Sequence, residues 1–473
     1  MAEPTESLLV FSDVHLGSDL NDSGPFVPRS ATVDRDLARL IAHYREEASR
    51  GERWRIVIAG DLIDFVGMAV DPKEGEELET SLTAEERRNG VGSAEDHARL
   101  KLARVAERHA DVFDELARFV ASGHAVTVLH GNHDIELHWE GLRGDFRRLL
   151  TRETPEGARA DAEARVEFAP WFFYREGFVY IEHGHQYDPF CATRFVLSPV
   201  SPRDPRRVER GFSETLLRSI VRRTPGLKEH GHEERGLASY IGWGLTLGVR
   251  GSYGLLRRFF ETVAELVRIQ RGYASPRAEE LARRHEEHLD ALARDEGHCP
   301  KRLRRLRSLQ SAPIATTLRG VLASVMLDRL GVGAIVVVLL VLTLVASKLG
   351  VLGGAGPYVA GGLVAAWIAL HVFLSRGRGN VDPAEEMVRR AADIAEIFPA
   401  PFVVMGHTHV PRRLKVGASE YINVGGWSEE EPEPGEAKPY RAPRTHLVLH
   451  PEPSGPTAHF RAWHPDEGPK PHE

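Results

Sequence analysis

Cysteine is nearly absent from this 473-residue chain: only Cys191 and Cys299 occur, far apart and outside any Cys-x-x-Cys spacing. That scarcity argues against a disulfide framework and a thiolate zinc site, and it fits a reducing compartment. Neither sign of charge dominates. The 61 Lys+Arg and 68 Asp+Glu leave a net −7, which provides no global pull toward nucleic acid. A secretory leader is not expected either, because residues 1–6 are short, polar and acidic and run straight into a strand-like stretch. Long apolar runs are missing everywhere but one place in the second half. What remains, 42% hydrophobic and 27% charged residues, excludes a disordered or collagen-like chain. At roughly 100–200 residues per domain, the length suits one large catalytic domain with insertions, or two to three modules.

Residues 1–190 alternate short apolar runs with amphipathic stretches, the pattern of an α/β sheet. Strands are expected over 8–11, 55–59, 125–129 and 178–182, the last entered through a hairpin over 170–177. Between the first two, Val33, Leu37, Leu40, Ile41 and Tyr44 recur at helical spacing, and Gly51 stops the helix. Ser93 and Asp96 resemble a capping box opening one long helix, with Leu100, Val105, Val112, Leu116 and Phe119 on its stripe. Residues 71–92 read as an exposed loop.

A basic, mainly helical insertion follows over 191–330. From 200 to 329 there are 25 Lys+Arg against 16 Asp+Glu, with the densest cluster at Lys301, Arg302, Arg304, Arg305 and Arg307. Within 237–267, Trp243, Tyr253, Phe259 and Phe260 alternate with arginines; an interfacial amphipathic segment and ordinary helix packing both fit. Residues 331–375 are the apolar exception. Seventeen residues without a charge (331–347) and 27 more after Lys348 (349–375) are enough for a two-helix transmembrane hairpin. Arg319 and Arg329 precede it, and Arg376 and Arg378 follow, which places the outer ends and the soluble portions in the cytoplasm. A hairpin buried in a soluble core is the competing reading. The α/β pattern resumes over 376–464. Asp382-Pro383 with Glu385 opens a helix whose apolar face is Met387, Ile394 and Ile397, and strands follow at 402–405, 421–424 and 446–449. Residues 429–439 form an acidic loop and 465–473 a flexible tail.

Five short motifs stand just past expected strands: Asp13-Val14-His15, Gly60-Asp61-Leu62-Ile63-Asp64, Gly131-Asn132-His133-Asp134, His183-Gly184-His185 and Gly406-His407-Thr408-His409. Loops at the carboxyl ends of sheet strands are where such folds bind ligands. Oxygen and imidazole donors without sulfur suit Mn, Fe, Zn, Co or Ni, and this many donors suit two divalent ions rather than one. Residues two apart on extended backbone point the same way, so Asp-x-His and His-x-His can converge on one cluster. His43, His109, His124, His138, His285 and His288 read as solvated or structural. Trp427 either lines the mouth of the site or packs.

These motifs resemble the calcineurin-like metallophosphoesterases, whose pattern is D-x-H, G-D-x-x-D, G-N-H-D/E, a single H, and G-H-x-H. The likeness covers 8–190 and 381–450 and leaves out 191–380. It implies a four-layer α/β/β/α sandwich carrying the helical insertion and its transmembrane hairpin. It also implies one metal site from Asp13, His15 and His409, another from Asn132, His183 and His407, and Asp61 bridging them, with His185 the rival of His183. His133 would act as acid beside the phosphate, oriented by Asp64, while a bridging hydroxide attacks. Within the family, the UDP-2,3-diacylglucosamine hydrolases share the His-Gly element of the fourth motif but carry Arg where His133 stands. A metal-dependent phosphoester hydrolase at the cytoplasmic membrane face, acting on a lipid-linked phosphoester, is the expectation. A tethered phosphatase or phosphodiesterase for soluble nucleotides or phosphoproteins, and a catalytically silent scaffold, are the alternatives; a nucleic-acid substrate is disfavoured.

Overall fold

The run Leu8-Leu9-Val10-Phe11 is fully buried, and its residues alternate between two cores. Leu9 and Phe11 pack with Leu37, Leu40 and Ile41 of helix Ala31–Ala48, whereas Leu8 and Val10 face Val179, Ile181, Val404 and Ile422. A strand that is apolar on both sides has to be covered on both sides, which is why it reads as a continuous hydrophobic run. Each such Leu, Val or Phe contributes about 1.5–3 kcal/mol by leaving water.

This strand belongs to a mixed α/β fold with two sheets, described by a computed structural model over residues 6–22, 31–48, 53–224, 248–324, 327–376, 382–428 and 443–472. In chain order the strands are β1 (Glu6–Phe11), β2 (Arg53–Ala59), β3 (Ala125–Leu129), β4 (Val166–Ala169), β5 (Phe172–Arg175) and β6 (Val179–Glu182), then β7 (Phe402–Met405), β8 (Arg412–Val416), β9 (Ser419–Asn423), β10 (Thr445–His450), β11 (Thr457–His464) and β12 (Gly468–Pro471). The first sheet has the order β12-β11-β10-β1-β2-β3-β4 and the second β5-β6-β7-β9-β8. Strands β1 to β4 pair in parallel, as do β6, β7 and β9, so their carboxyl ends open toward the same kind of loop. One core cluster draws on both sheets, from Val57 and Leu129 to Val179 and Val404.

The second sheet's other face carries Tyr180, Val403, Met405 and Tyr421. They pack against Met387, Ala391 and Ile394 of helix Pro383–Ile397 and against Leu289, Leu303 and Leu306 of helices Pro276–Asp295 and Pro300–Ser308. The insertion is therefore a structural part of the second core. Its basic cluster is largely engaged by protein groups. Arg304 and Arg307 pair with Glu286, Arg305 with Glu396, and Arg302 stacks on the Phe398 ring at 4.5 Å.

Several sequence expectations change in the structure. The Ser93–Asp96 capping box does not form. Helix Glu95–Arg108 starts after Ala94, the Asp96 carboxylate accepts from the Thr80 amide, and the Ser93 hydroxyl donates to the Val208 carbonyl. The expected single helix breaks at His109, giving a second helix, Ala110–Ala121. The break has a tertiary cause: His109 Nε2 accepts from the Gly17 amide at 2.9 Å and Nδ1 lies 2.6 Å from Asp34. The 71–92 loop is exposed only in part, since it ends in a short helix, Glu86–Asn89, whose Glu86 is buried against Arg207. Residues 465–472 are not a loose tail. Strand β12 returns along β11, from Arg461↔Pro471 to His464↔Gly468, and gives an otherwise bare edge its partner. Two prolines suit that place, because an outermost strand has spare donor positions.

Of the apolar stretch, helices Leu327–Lys348 and Gly356–Arg376 are described, and they pack on each other. Among the described residues one helix, Gly353–Val372, is long and apolar enough to cross a membrane by length and composition, with a mean hydropathy of 1.4; Ile335–Lys348 is a shorter apolar helix. Ile335, Val338, Leu342, Val345 and Ile368 are exposed, so this pair is not buried in the chain's own core. The expectations placed on 237–247, on Arg378 and on the 429–439 loop fall outside the described residues.

Candidate metal centre

The five motifs occupy the turns that follow β1, β2, β3, β6 and β7, and these turns meet. Their backbone is unusual. Among the described residues six non-glycine positions have positive φ, and five of them are Asp13, His15, Asp61, His407 and His409. Left-handed backbone at such residues costs of order 1–3 kcal/mol and persists only where the surroundings over-determine it. Here the determinants are visible. The Asp13 amide donates to the Gly60 carbonyl, the His15 amide to the Asp61 carbonyl, and the Asp13 carbonyl accepts from Trp427 and Ser428.

Four ligand-type groups result among the described residues, two of them around Asp13. Asp13, His15 and His409 present donor atoms within 4.8 Å of one another, although His15 and His409 are 394 residues apart. Asp13 Oδ1 lies 3.1 Å from His409 Nε2, and the two imidazole Nε2 atoms are 3.3 Å apart. Asp13, Asp61 and His183 form the second group. Asp61 Oδ2 lies 3.2 Å from His183 Nε2 and 3.8 Å from His15 Nε2, so one carboxylate reaches both sets. Its other oxygen accepts from the His133 amide at 2.8 Å. His183 Nδ1 donates to the Ala59 carbonyl at 2.8 Å, which makes Nε2 the atom aimed inward, as outer-shell contacts do for metal-ligating histidines.

The fit of a divalent cation can be judged from atoms that lack other partners. Asn132 Oδ1 is buried without a hydrogen bond, and Asp13 Oδ1 and His183 Nε2 face only other ligand-type atoms, His409 Nε2 at 3.1 Å and Asp61 Oδ2 at 3.2 Å, an arrangement a cation between them would satisfy. The field agrees. Burial alone would lower the His183 pKa, yet the Asp61 and Asp13 carboxylates outweigh it and raise it to about 9. Burial would raise Asp61, but His183 and His133 hold it well below the usual carboxylate range. His15 behaves oppositely, pushed down to about 3 by burial and by His133. Ionised carboxylates packed against inward-aimed imidazole nitrogens make a site for a borderline divalent metal, whose binding would displace the proton that His183 otherwise holds; neither group contains a sulfur donor, while Cys191 lies with Asp188 and His407.

Of the two histidines in the fourth motif, His183 is the one that joins Asp13 and Asp61. His185 Nε2 accepts from the Gln186 side chain at 2.8 Å, and its ring stays 6.4 Å from that of His407. His407 is near the second group, its ring 5.3 Å from His183, but its closest acidic partner is Asp188, 3.2 Å from Nε2. The sequence reading missed Asp188, whose only signal was its place five residues after His183. It missed Asp134 in the same way, although the motif contained it: the Asp134 carboxylate accepts from Gly131 (2.6 Å) and Leu62 (2.9 Å) and so ties the second and third turns together. His133 Nδ1 lies 2.7 Å from Asp64 Oδ1, as the resemblance implied. The other Asp64 oxygen meets Arg222, a residue of the insertion that no motif announced. Trp427 is fully buried, with its indole donating to the Thr445 carbonyl, so packing is its role.

Two glycines are required by space. A Cβ on Gly60, whose φ is +91°, would lie 2.5 Å from His183 Nδ1, and one on Gly131 would overlap Asp61 Oδ1 and come within 2.7 Å of the His183 ring. Gly131→Ala must therefore displace the Asp61 carboxylate, which lies between His183 and His15. The expected outcome is loss of divalent-cation binding, measured by equilibrium dialysis against Mn²⁺, with the melting temperature lowered by only a few degrees. Undiminished Mn²⁺ binding would show that Asp61 is not a ligand. No family model and no curated protein matches this chain, so the reading of the site rests on its geometry.

Proposed function

We propose that this chain is a metal-dependent phosphoester hydrolase of the calcineurin-like metallophosphoesterase kind, with a four-layer α/β/β/α arrangement and a dinuclear centre. The observation that carries the reading is the convergence of Asp13, His15 and His409 with Asp61 and His183, held by left-handed backbone at four of the five. Asp13, His15 and His409 would hold one cation, and His183, Asn132 and His407 the other, with Asp61 shared. Divalent cations bound there supply Lewis acidity toward phosphate oxygens and an activated water. The chain's own residues do the rest. Asp188 orients His407, the Ala59 carbonyl orients His183, and Asp134 fixes the turn that presents Asn132 and His133. His133 would give a proton to the departing oxygen; its ring, 4.5 Å from that of His15, and its Nδ1, 2.7 Å from Asp64, support that role.

The apolar helices lie in sequence between the fourth and fifth motifs, so both flanks return to one centre. This supports a site held at the cytoplasmic membrane face through residues 331–375, and a phosphoester carried on a lipid as substrate. The test is a panel of lipid phosphates and nucleotides on detergent-extracted protein. Chelation with EDTA should remove at least about 99% of turnover, and Mn²⁺ should restore it, since the cations carry the chemistry. Turnover that survives chelation defeats the metal reading. Turnover confined to soluble nucleotides defeats the lipid assignment and leaves the hydrolase standing.

A further inference from the structure

Asp64 is gripped by groups from different parts of the chain. Its Oδ1 lies 2.7 Å from His133 Nδ1 and accepts from the Gly67 amide at 2.7 Å, while Oδ2 accepts from Arg222 Nη2 at 2.9 Å. Arg222 sits in a single turn, Val221–Arg223, directly after helix Phe212–Ser219, and is 6% exposed. Its Nη1 donates to the Ser18 carbonyl at 2.8 Å, in the turn that follows Asp13 and His15. One guanidinium thus spans the first and second motif turns from outside both. The geometry at Gly67 matches: a Cβ there would overlap Asp64 Oδ2 and come 2.5 Å from Arg222 Nη2, so the glycine makes room for the Asp64 carboxylate together with the guanidinium it holds. The preceding helix is itself fastened to the sheet domain, with buried Arg218 donating to the carbonyls of Met68, Gly90 and Val91.

Stability alone does not require this arrangement, because a buried ion pair roughly breaks even against an apolar replacement. Its specific product is orientation. We infer that Arg222 is a positioning residue for the leaving-group acid: by holding Asp64 Oδ2 it keeps Oδ1 on His133 Nδ1, so that the insertion, docked by Arg218, completes a pair the sheet turns leave half-supported. The inference rests on the hydrolase reading and adds a consequence to it. Esters whose alkoxide leaves poorly need the acid, whereas an aryl ester whose phenolate leaves unaided needs it little. The natural substrate is then an ester of an aliphatic or sugar hydroxyl, and its cleavage depends on the docked insertion.

The experiment compares the full chain, Arg222→Ala, Arg222→Lys and Gly67→Ala on a nitrophenyl phosphoester and on a matched primary alkyl phosphoester. Metal content is measured in each variant, and the Nδ1-bound proton of His133 is followed by NMR. For Arg222→Ala, kcat on the alkyl ester falls about 100-fold and on the aryl ester about threefold, in keeping with the range for acid catalysis, with KM and metal content held. Lysine restores part of the loss, because it brings one charge but cannot fork to Asp64 and Ser18 together. Gly67→Ala, which leaves Arg222 itself intact, reproduces the same discrimination. Equal losses on both esters, or loss of metal, overturn the inference. If the unaltered chain cleaves neither ester, the hydrolase reading falls and the NMR signal decides this one: a His133 proton resonance lost in Arg222→Ala supports the positioning role, and an unchanged resonance overturns it.

Discussion

Asp61→Asn should abolish turnover and metal occupancy together while leaving the fold intact. The substitution keeps size and shape, and the asparagine Oδ1 can still accept from the His133 amide as Asp61 does at 2.8 Å. What changes is the other atom. An amide nitrogen in place of Oδ2 would sit 3.2 Å from His183 Nε2 and donate to it, consuming the lone pair that ligation requires. The same change removes the negative charge that lies 3.8 Å from His15 Nε2 and 3.2 Å from His183 Nε2. Outer-shell losses typically cost about 10–100-fold in metal affinity, and a shared ligand should exceed that. Elemental analysis of the purified variant, turnover on an aryl phosphoester and a thermal melt check the three parts separately. Full metal loading with turnover retained would sink the assignment of Asp61.

His133→Ala should separate what Asp61→Asn joins. The variant loses the Nδ1 contact to Asp64, yet Asp64 keeps Gly67 and Arg222, and the two ligand groups around Asp13 keep their members. Turnover is expected to fall about 10²–10⁴-fold, the usual share of general acid–base catalysis, with metal content unchanged. The alternative outcome is informative, because His15, Asp64 and His133 also bring their donor atoms within 4.8 Å. Metal lost from His133→Ala would make His133 a ligand and remove it from the acid role.

The strands that frame the site were readable because each is apolar on both faces. The expected 125–129 and 402–405 coincide with β3 and β7, and β1, β2, β6, β9 and β10 differ only at their ends. The strands that were missed lie at or near sheet edges. β8 reads Arg-Arg-Leu-Lys-Val with three exposed residues in a row, and β12 carries two prolines, so neither has a hydrophobic signature of its own. Such strands exist because a neighbour offers unpaired backbone groups. The His109 break failed to show for a similar reason: the helical stripe continues through it, and only a turn near the first motif, with Asp34, pulls the ring aside.

The amino-acid sequence by itself determined which turns carry the ligand-type residues, because an apolar strand followed within a few positions by carboxylate, carboxamide or imidazole groups is a local property. The choice of His183 over His185, the pairing of Asp188 with His407, and the reach of Arg222 to Asp64 belong to the tertiary structure. Those partners stand 219 and 158 residues apart in the latter two cases, and their distance depends on how two sheets and an inserted helix pack. A side chain's chemistry travels with its residue, but its partner is set by the packing of elements the local sequence does not describe.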